Sequence, residues 1–252
     1  MGFFRLRWAY AMSVESGIVQ LEQVAFRYRR RAPWVLRDVT LTVPRGRVIE
    51  VNGANGAGKS TLLRLLAGIV PPVRGHVSHR PARVGYAPER FPTTQPFTAR
   101  AYLDHMARIQ GVPATRAEEW AERPGFAGLL DTRLADLSKG SAHKTGLAQA
   151  LIASPDLLVL DEPFAGLDTE TRATLPTLLA ELAADGASVV VSDHQGDLRE
   201  LPDIVRWQVS GHTVTTGAIP EEHTIVEVTV PATEADQLIE RLTTDGYRAR
   251  RR

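Results

Sequence analysis

The sequence predicts an α/β fold built on a mainly parallel β-sheet, and three observations support this. Three largely apolar runs, each followed directly by polar residues, lie at 47–51, 157–160 and 187–191. The first run leads into a glycine-rich loop and then into a helical pattern at 61–67. Parallel strands are buried on both faces, so they have this continuous apolar character. A chain of 252 residues, 43% of them apolar, is long enough for one large domain.

The segment before the first run predicts a small antiparallel β-subdomain. Residues 18–26 and 35–43 alternate between apolar and polar side chains, which is typical of strands with one solvated face. The basic stretch 29–31 between them is predicted to be a solvated hairpin. Residues 1–15 carry no structural prediction.

The remaining segments predict an inserted helical subdomain and a C-terminal extension. The helical subdomain is expected at about 90–155, with helices at 98–110, 115–121 and 141–153. A closing hairpin is predicted at 204–209 and 213–217. We therefore expect a main domain at 16–220, followed by a small β-α-β appendage at 221–252.

The glycine-rich loop has the pattern G-x-x-x-x-G-K-[ST], which cradles phosphate groups. Backbone N–H groups of such a loop point at the phosphates, and glycines are needed where a Cβ would block the approach. The lysine reaches the β- and γ-phosphates, and the next hydroxyl binds Mg²⁺. The alternative is an ordinary glycine-rich turn, but a strand before the loop and a helix after it favour the phosphate site. The predicted residues are Gly53, Asn55, Gly56, Ala57, Gly58, Lys59, Ser60 and Thr61.

The other two apolar runs place charged side chains at the same edge of the predicted sheet. Asp161 and Glu162 follow one run, and His194 follows the other. Open α/β sheets bind ligands at the carboxyl ends of their strands. Asp161 can hold Mg²⁺ directly or through water, Glu162 can orient and deprotonate an attacking water, and His194 can contact the γ-phosphate. The alternatives are a surface turn for the two acids and an ordinary loop histidine.

Composition excludes several other kinds of site. The chain has no cysteine, so disulfides and cysteine-ligated metals are excluded, which suits a reducing compartment. The net charge is +1, and the positive residues are spread along the chain. The sequence therefore lacks the basic patch of a dedicated nucleic-acid-binding protein. No apolar run approaches the roughly 18 residues that would span a bilayer. We therefore expect a membrane role to require another chain.

The segment 137–141 reads LSKGS and lies between the glycine-rich loop and Asp161. In this position it resembles the LSGGQ signature of the ATP-binding cassette (ABC) family, whose common variant begins LSKG. In that family, the residues at the positions of Ser138 and Gly140 reach across a dimer to the γ-phosphate bound by the other subunit. The resemblance covers about residues 18–217 and implies a P-loop NTPase core with the two subdomains described above. By itself, the segment could be a helix N-cap formed by Ser138 or Ser141.

Three more residues match elements of the family one by one. Tyr28 resembles the aromatic residue that stacks on adenine, with a strand-face tyrosine as the alternative. Asp168 resembles the D-loop residue that contacts the opposite P-loop across the dimer. Glu89 lies where the family commonly has a glutamine, and its carboxylate can offer an oxygen to Mg²⁺ or to the attacking water.

Two further acids need an explanation. Asp193 replaces the small hydroxyl residue that the family more often has before the histidine. Glu50 lies in the first core strand, where an unpaired buried carboxylate would be costly, and the sequence does not identify its partner.

The resemblance implies an ATP- and Mg²⁺-dependent ATPase subunit of an ABC transporter. It implies pairing with itself or with a homologous ATPase subunit, beneath separate integral membrane subunits, at the cytoplasmic face of the cell membrane. No nucleic-acid partner is expected. The LSKG form and the short helical region favour export over import.

Two other classes of function are weighed against this one. The first is a soluble ABC ATPase acting on chromosomes or ribosomes, but such relatives usually carry long coiled-coil insertions or two cassettes. The second is a regulatory subunit that binds nucleotide without turnover, which the presence of both Glu162 and His194 disfavours.

Overall fold

The structure, a computed structural model, describes residues 17–113, 115, 116, 119 and 130–217. Residues 1–15 and the predicted appendage 221–252 lie outside these residues, as does most of the predicted helix 115–121. Within the described residues, no helix combines the length and the hydropathy needed to cross a membrane.

The described elements are nine strands and four α-helices, with one 3₁₀ turn at Leu134–Asp136. The strands are β1 (Gly17–Phe26), β2 (Leu36–Pro44), β3 (Val48–Asn52), β4 (Arg74–Ser78), β5 (Val84–Ala87), β6 (Leu157–Asp161), β7 (Ser188–Ser192), β8 (Val205–Ser210) and β9 (Thr213–Thr216). The helices are α1 (Lys59–Ala67), α2 (Ala99–Ile109), α3 (Lys139–Leu151) and α4 (Thr169–Ala184).

The strands form two sheets, and this confirms the predicted α/β fold class. A three-stranded antiparallel sheet has the order β2-β1-β4. A six-stranded sheet has the order β5-β6-β7-β3-β8-β9 and is parallel apart from β9, which closes a hairpin with β8. The three largely apolar runs of the sequence are its central strands β6, β7 and β3, and burial on both faces of the sheet explains their composition.

Successive residues of β6 pack into two separate layers of the core. Leu158 and Leu160 pack with apolar side chains of α2, α3 and α4 on one face of the sheet. Leu157 and Val159 pack with α1 and with the three-stranded sheet on the other face. All four are fully buried. Each such burial stabilises the fold by about 1.5–3 kcal/mol, so the two layers hold the strand ends in place.

Two strands were not predicted from the sequence. The five residues of β4 are all at least partly exposed, so they lack an apolar signal and depend on pairing with β1. Strand β5 has only four residues, and it forms the edge of the larger sheet through its parallel pairing with β6. Short strands of this kind are specified by their neighbours more than by their own composition.

The structure also identifies the partner of the buried Glu50. Arg206 on the adjacent strand β8 donates from Nε to Oε2 of Glu50 at 3.0 Å. Glu50 is 3% exposed, so this ion pair removes the cost of an uncompensated buried charge.

Candidate functional site

The carboxyl ends of three adjacent parallel strands meet at one edge of the larger sheet. Val51 of β3 pairs with Ser192 of β7, and Ser192 pairs in turn with Asp161 of β6. The residues that follow these positions therefore emerge side by side. These are the glycine-rich loop, Glu162 and His194, as the sequence predicted.

The glycine-rich loop has backbone conformations that explain its glycines. Gly53, Gly56 and Gly58 have φ angles of 150°, 79° and 113°, in a region that favours glycine. A Cβ on Gly53 would lie 2.5 Å from the carbonyl oxygen of Val209, which a side chain could not accommodate. Helix α1 begins directly after Gly58, so its N-terminal N–H groups and partial positive charge face the loop.

Lys59 is held between the loop and the acidic strand end. Its Nζ donates to the carbonyl oxygen of Gly53 at 2.8 Å and lies 3.9 Å from Oε1 of Glu162. The side chain is 8% exposed. A buried ammonium in this position is suited to a strongly anionic ligand such as a phosphate group.

Asp161 is buried at the end of β6 and is only partly satisfied by protein donors. Its Oδ1 accepts hydrogen bonds from Ser60 Oγ at 3.1 Å and from Ser192 Oγ at 3.0 Å. Its Oδ2 is buried without a hydrogen-bond partner among the described residues. Burial raises the pKa of Asp161, and the two hydroxyl donors act in the opposite direction. A carboxylate oxygen left free beside a serine hydroxyl is the donor set that Mg²⁺ takes.

Glu162 has a strained backbone and a well-defined partner. Its φ of 53° is unusual for a residue other than glycine, and its N–H donates to Ser192 Oγ at 2.9 Å. Its carboxylate pairs with Nδ1 of His194. Burial raises the pKa of Glu162, which His194 and Lys59 partly offset. Strain of this kind persists where the surrounding structure fixes a side chain for function.

Tyr28 lies just after β1 and contacts the first turns of α1. Its hydroxyl is 2.9 Å from Thr61 Oγ1 and accepts a hydrogen bond from Arg64 Nη1 at 3.2 Å. The residue is 56% exposed, so most of the side chain is open to solvent at this side of the loop. Its ring packs edge-on against Phe26, at 5.0 Å between centroids.

Ser138, Gly140 and Asp168 form a second group around the start of α3. Ser138 is exposed and caps α3 by accepting from the N–H of Ser141 at 3.1 Å. A Cβ on Gly140 would lie 2.4 Å from the carbonyl oxygen of Gly166, so the close packing of these two segments requires a glycine. Asp168 caps α4 through the N–H of Thr171 at 2.8 Å.

Asp168 also forms an ion pair with Lys144, which links it to helix α3. Lys144 and the N–H of Thr171 hold the pKa of Asp168 well below its usual range. Ser138 is the N-cap residue of α3, so that interpretation of the sequence is confirmed as local structure. It leaves open the role in a dimer that the resemblance implies, because the residue is exposed.

Glu89 lies after β5 and interacts with residues on two neighbouring elements, Asp161 of β6 and His143 of α3. Its charge is one of the effects that raise the pKa of Asp161. Its backbone forms a hydrogen bond with His143 of α3, although burial still lowers the pKa of that histidine overall. Glu89 itself is exposed.

Sequence reasoning missed the role of Ser192 at this site. Its hydroxyl donates to Asp161 and accepts from the backbone of Glu162, so it fixes both acids relative to each other. The available signal was its position at the end of β7, directly before Asp193 and His194. Asp193 is explained by local structure, since its carboxylate accepts from the N–H of Gln195 at 2.8 Å and so caps the next turn.

Comparison with known proteins decides the family. The family described as ABC transporter matches residues 36–165. The zinc import ATP-binding protein ZnuC of Cereibacter sphaeroides is 41% identical over 170 residues, covering 66% of this chain and 69% of the relative.

The chain belongs to the ABC transporter family. Like its relatives, it is an ATP-binding subunit and an ATPase. The manganese transport system ATP-binding protein MntB of Bacillus subtilis is 32% identical over 206 residues, covering 75% of this ABC ATPase and 81% of the relative. A solved ATP-binding subunit of an ABC transporter has the same fold, with a TM-score of 0.72, 24% identity and coverage of 92% and 95%. A dimeric ABC transporter cassette has a TM-score of 0.71 at 21% identity, covering 78% and 96%.

The names of these relatives contradict the expectation that export is favoured over import. ZnuC is named for zinc import, and the sequence-based preference for export is therefore wrong. The preference depended on the LSKG segment and on the helical region.

Proposed function

We propose that this ABC ATPase hydrolyses ATP with Lys59, Asp161, Glu162 and His194 in the roles that their positions suggest. The observation that carries the proposal is the convergence of all four at one edge of the sheet. Lys59 binds the β- and γ-phosphates of ATP, and the loop N–H groups surround them. Glu162 accepts a proton from the attacking water, and His194 holds the Glu162 carboxylate and contacts the γ-phosphate.

We propose that Ser60 and Asp161 hold Mg²⁺, with Glu89 contributing an oxygen to the ion or to the water. The free, buried Oδ2 of Asp161 and the adjacent hydroxyl of Ser60 support this assignment. When bound, Mg²⁺ neutralises charge on the β- and γ-phosphate oxygens. Tyr28 is proposed to stack on the adenine, since its ring is largely exposed beside α1.

The second group of residues is proposed to act across a dimer. Ser138 and Gly140 would meet the nucleotide bound to the Lys59 loop of the other subunit, with Asp168 contacting that loop. The exposure of Ser138 and the dimeric form of a solved structure with the same fold support this arrangement. The partner is a second copy or a homologous ATPase subunit, and each composite ATP site then needs both subunits.

We propose that the ATPase powers uptake of a divalent metal ion through separate integral membrane subunits, at the cytoplasmic face of the cell membrane. The relatives named for zinc import and for manganese transport support this class of substrate. The metal ion is the transported substrate, which is bound by the other subunits and not by this chain.

The uptake proposal predicts a metal-specific growth defect. Deleting the gene from its own cell should reduce growth when a chelator limits metal, and cellular zinc or manganese, measured by mass spectrometry, should fall. Restoring the wild-type chain should reverse both effects, and the Glu162→Gln variant should not. Unchanged contents of both metals in the deletion strain would contradict the proposed substrate class.

A mixing experiment tests the dimer. Ser138→Arg should leave ATP binding intact but abolish hydrolysis, because a bulky cation at the dimer interface blocks closure. In a mixed dimer with Lys59→Ala, one composite site carries both changes and the other carries neither. Some ATPase activity should then return, measured as phosphate release after mixing two inactive proteins.

A crosslink separates the two explanations of a failed complementation. In this cysteine-free chain, Ser138→Cys and Asn55→Cys should form a disulfide between subunits in the presence of ATP. A crosslink without complementation would mean that the two sites are obligately coupled. Absence of the crosslink in dimers that demonstrably form would refute the action of Ser138 across the dimer.

A further inference from the structure

The loop that carries His194 is anchored on both sides of the histidine. Asp193 is 2% exposed, and its carboxylate accepts from the N–H groups of Gln195 and Leu198. Leu198 is fully buried. His194 is itself 48% exposed, and its ring contacts the Glu162 carboxylate. The position of the His194 imidazole beside Glu162 is therefore fixed by the loop more than by packing around the ring.

Arg172 connects this loop to helix α4. Its guanidinium forms a two-pronged ion pair with Asp197, in which Nη2 lies 2.9 Å from Oδ2 and Nε donates to Oδ1. Nη2 also donates to Oε1 of Gln195, the residue after His194. The planar guanidinium thus holds two loop residues in one geometry, which a lysine could not do.

Helix α4 is capped at its amino-terminal end by Asp168, a member of the second group. Arg172 lies one turn after Asp168, and its N–H donates to the Asp168 carbonyl oxygen at 2.9 Å. Asp168 is paired with Lys144 of α3. A continuous set of contacts therefore runs from the LSKGS helix, through the first turn of α4, to the loop of His194.

We propose that Arg172 is a positioning residue for ATP hydrolysis, which fixes the His194 loop to α4 so that the placement of Asp168 sets the approach of His194 to Glu162. This inference rests on the roles proposed above for His194 and Glu162. Arg172 is 39% exposed, and ion pairs near the surface contribute only about 0–1 kcal/mol to stability. Catalytic geometry is far more sensitive, since a displacement of about 1 Å can lower a rate on the order of a hundredfold.

The test is a comparison of hydrolysis, nucleotide affinity and unfolding in Arg172→Gln. We expect kcat to fall about tenfold or more, with ATP affinity within about twofold of wild type and a small change in Tm. The kcat of Arg172→Lys should lie between those of the wild type and of Arg172→Gln, because lysine keeps the charge but loses the two-pronged geometry. Asp197→Asn should reproduce the loss, and the double variant should be no worse than either single variant.

A second ion pair of the same kind provides the matched control. Arg83 forms a two-pronged pair with Asp156, with distances of 2.6 and 3.2 Å, at the amino-terminal ends of β5 and β6. Arg83→Gln should leave hydrolysis unchanged. Hydrogen exchange of residues 193–198 should accelerate in Arg172→Gln and not in Arg83→Gln.

Three outcomes would overturn the inference: wild-type hydrolysis in Arg172→Gln, a matching loss of ATP affinity, or an equal loss in Arg83→Gln. His194→Ala separates this failure from failure of the proposed function. An inactive His194→Ala beside a fully active Arg172→Gln would refute only the role of Arg172. A fully active His194→Ala would refute the role of His194 itself.

Discussion

Glu162→Gln should bind ATP and lose turnover, with hydrolysis reduced by about 10²- to 10⁴-fold. The glutamine keeps the shape of the side chain but cannot accept the proton of the attacking water. Ser192 still receives the backbone N–H of residue 162, so the strained turn should persist. Phosphate release under saturating ATP and Mg²⁺ measures the loss.

The bound ATP should also hold the proposed dimer closed in this variant. Light scattering with ATP and Mg²⁺ should therefore show a dimer that the wild type forms only transiently. Glu181→Gln, an exposed position on α4, is the matched control and should hydrolyse ATP normally. Wild-type turnover in Glu162→Gln would refute the assignment of Glu162 as the general base.

Lys59→Ala should lose tight ATP binding while the chain remains folded. The variant removes a buried ammonium that would lie against the phosphates, and loss of one partner of such a pair costs about 2–5 kcal/mol, or roughly thirtyfold or more in affinity. Titration calorimetry with ATP on the folded variant gives this loss directly.

Two controls make the Lys59 result specific. Arg108→Ala removes an exposed cation on α2 and should bind ATP as the wild type does. Circular dichroism should show the same folded spectrum for both variants. Unchanged affinity in Lys59→Ala would overturn the assignment of residues 53–61 as the phosphate site.

The parts of the site that follow the chain order were predictable from the sequence. The first core strand, predicted at 47–51, is Val48–Asn52, and the helix after the loop begins at Lys59. The positive φ angles of Gly53, Gly56 and Gly58 agree with the glycines of the pattern. Asp161, Glu162 and His194 emerge together because parallel strands present their carboxyl ends at one edge.

Contacts between distant segments were not predictable in this way. The pairing of Glu50 with Arg206 joins residues 156 positions apart, and Ser192 reaches Asp161 across 31 positions. A serine or arginine has the same appearance in a sequence whether its partner is water or a buried carboxylate. Only the register of β3 with β8 and of β6 with β7 brings these side chains together.

The fold class, the phosphate loop, the Asp161–Glu162 pair and the LSKGS segment were predictable from the sequence, because each depends on a short run of neighbouring residues. The tertiary structure alone decided how these parts are connected. The contact between Arg172 and Asp197 depends on the packing of α4 beside β7, and that packing is a sum of many apolar contacts from the whole core. These apolar contacts join residues that are far apart in the sequence, so no short segment predicts them. Connections of this kind become visible only once the chain is folded.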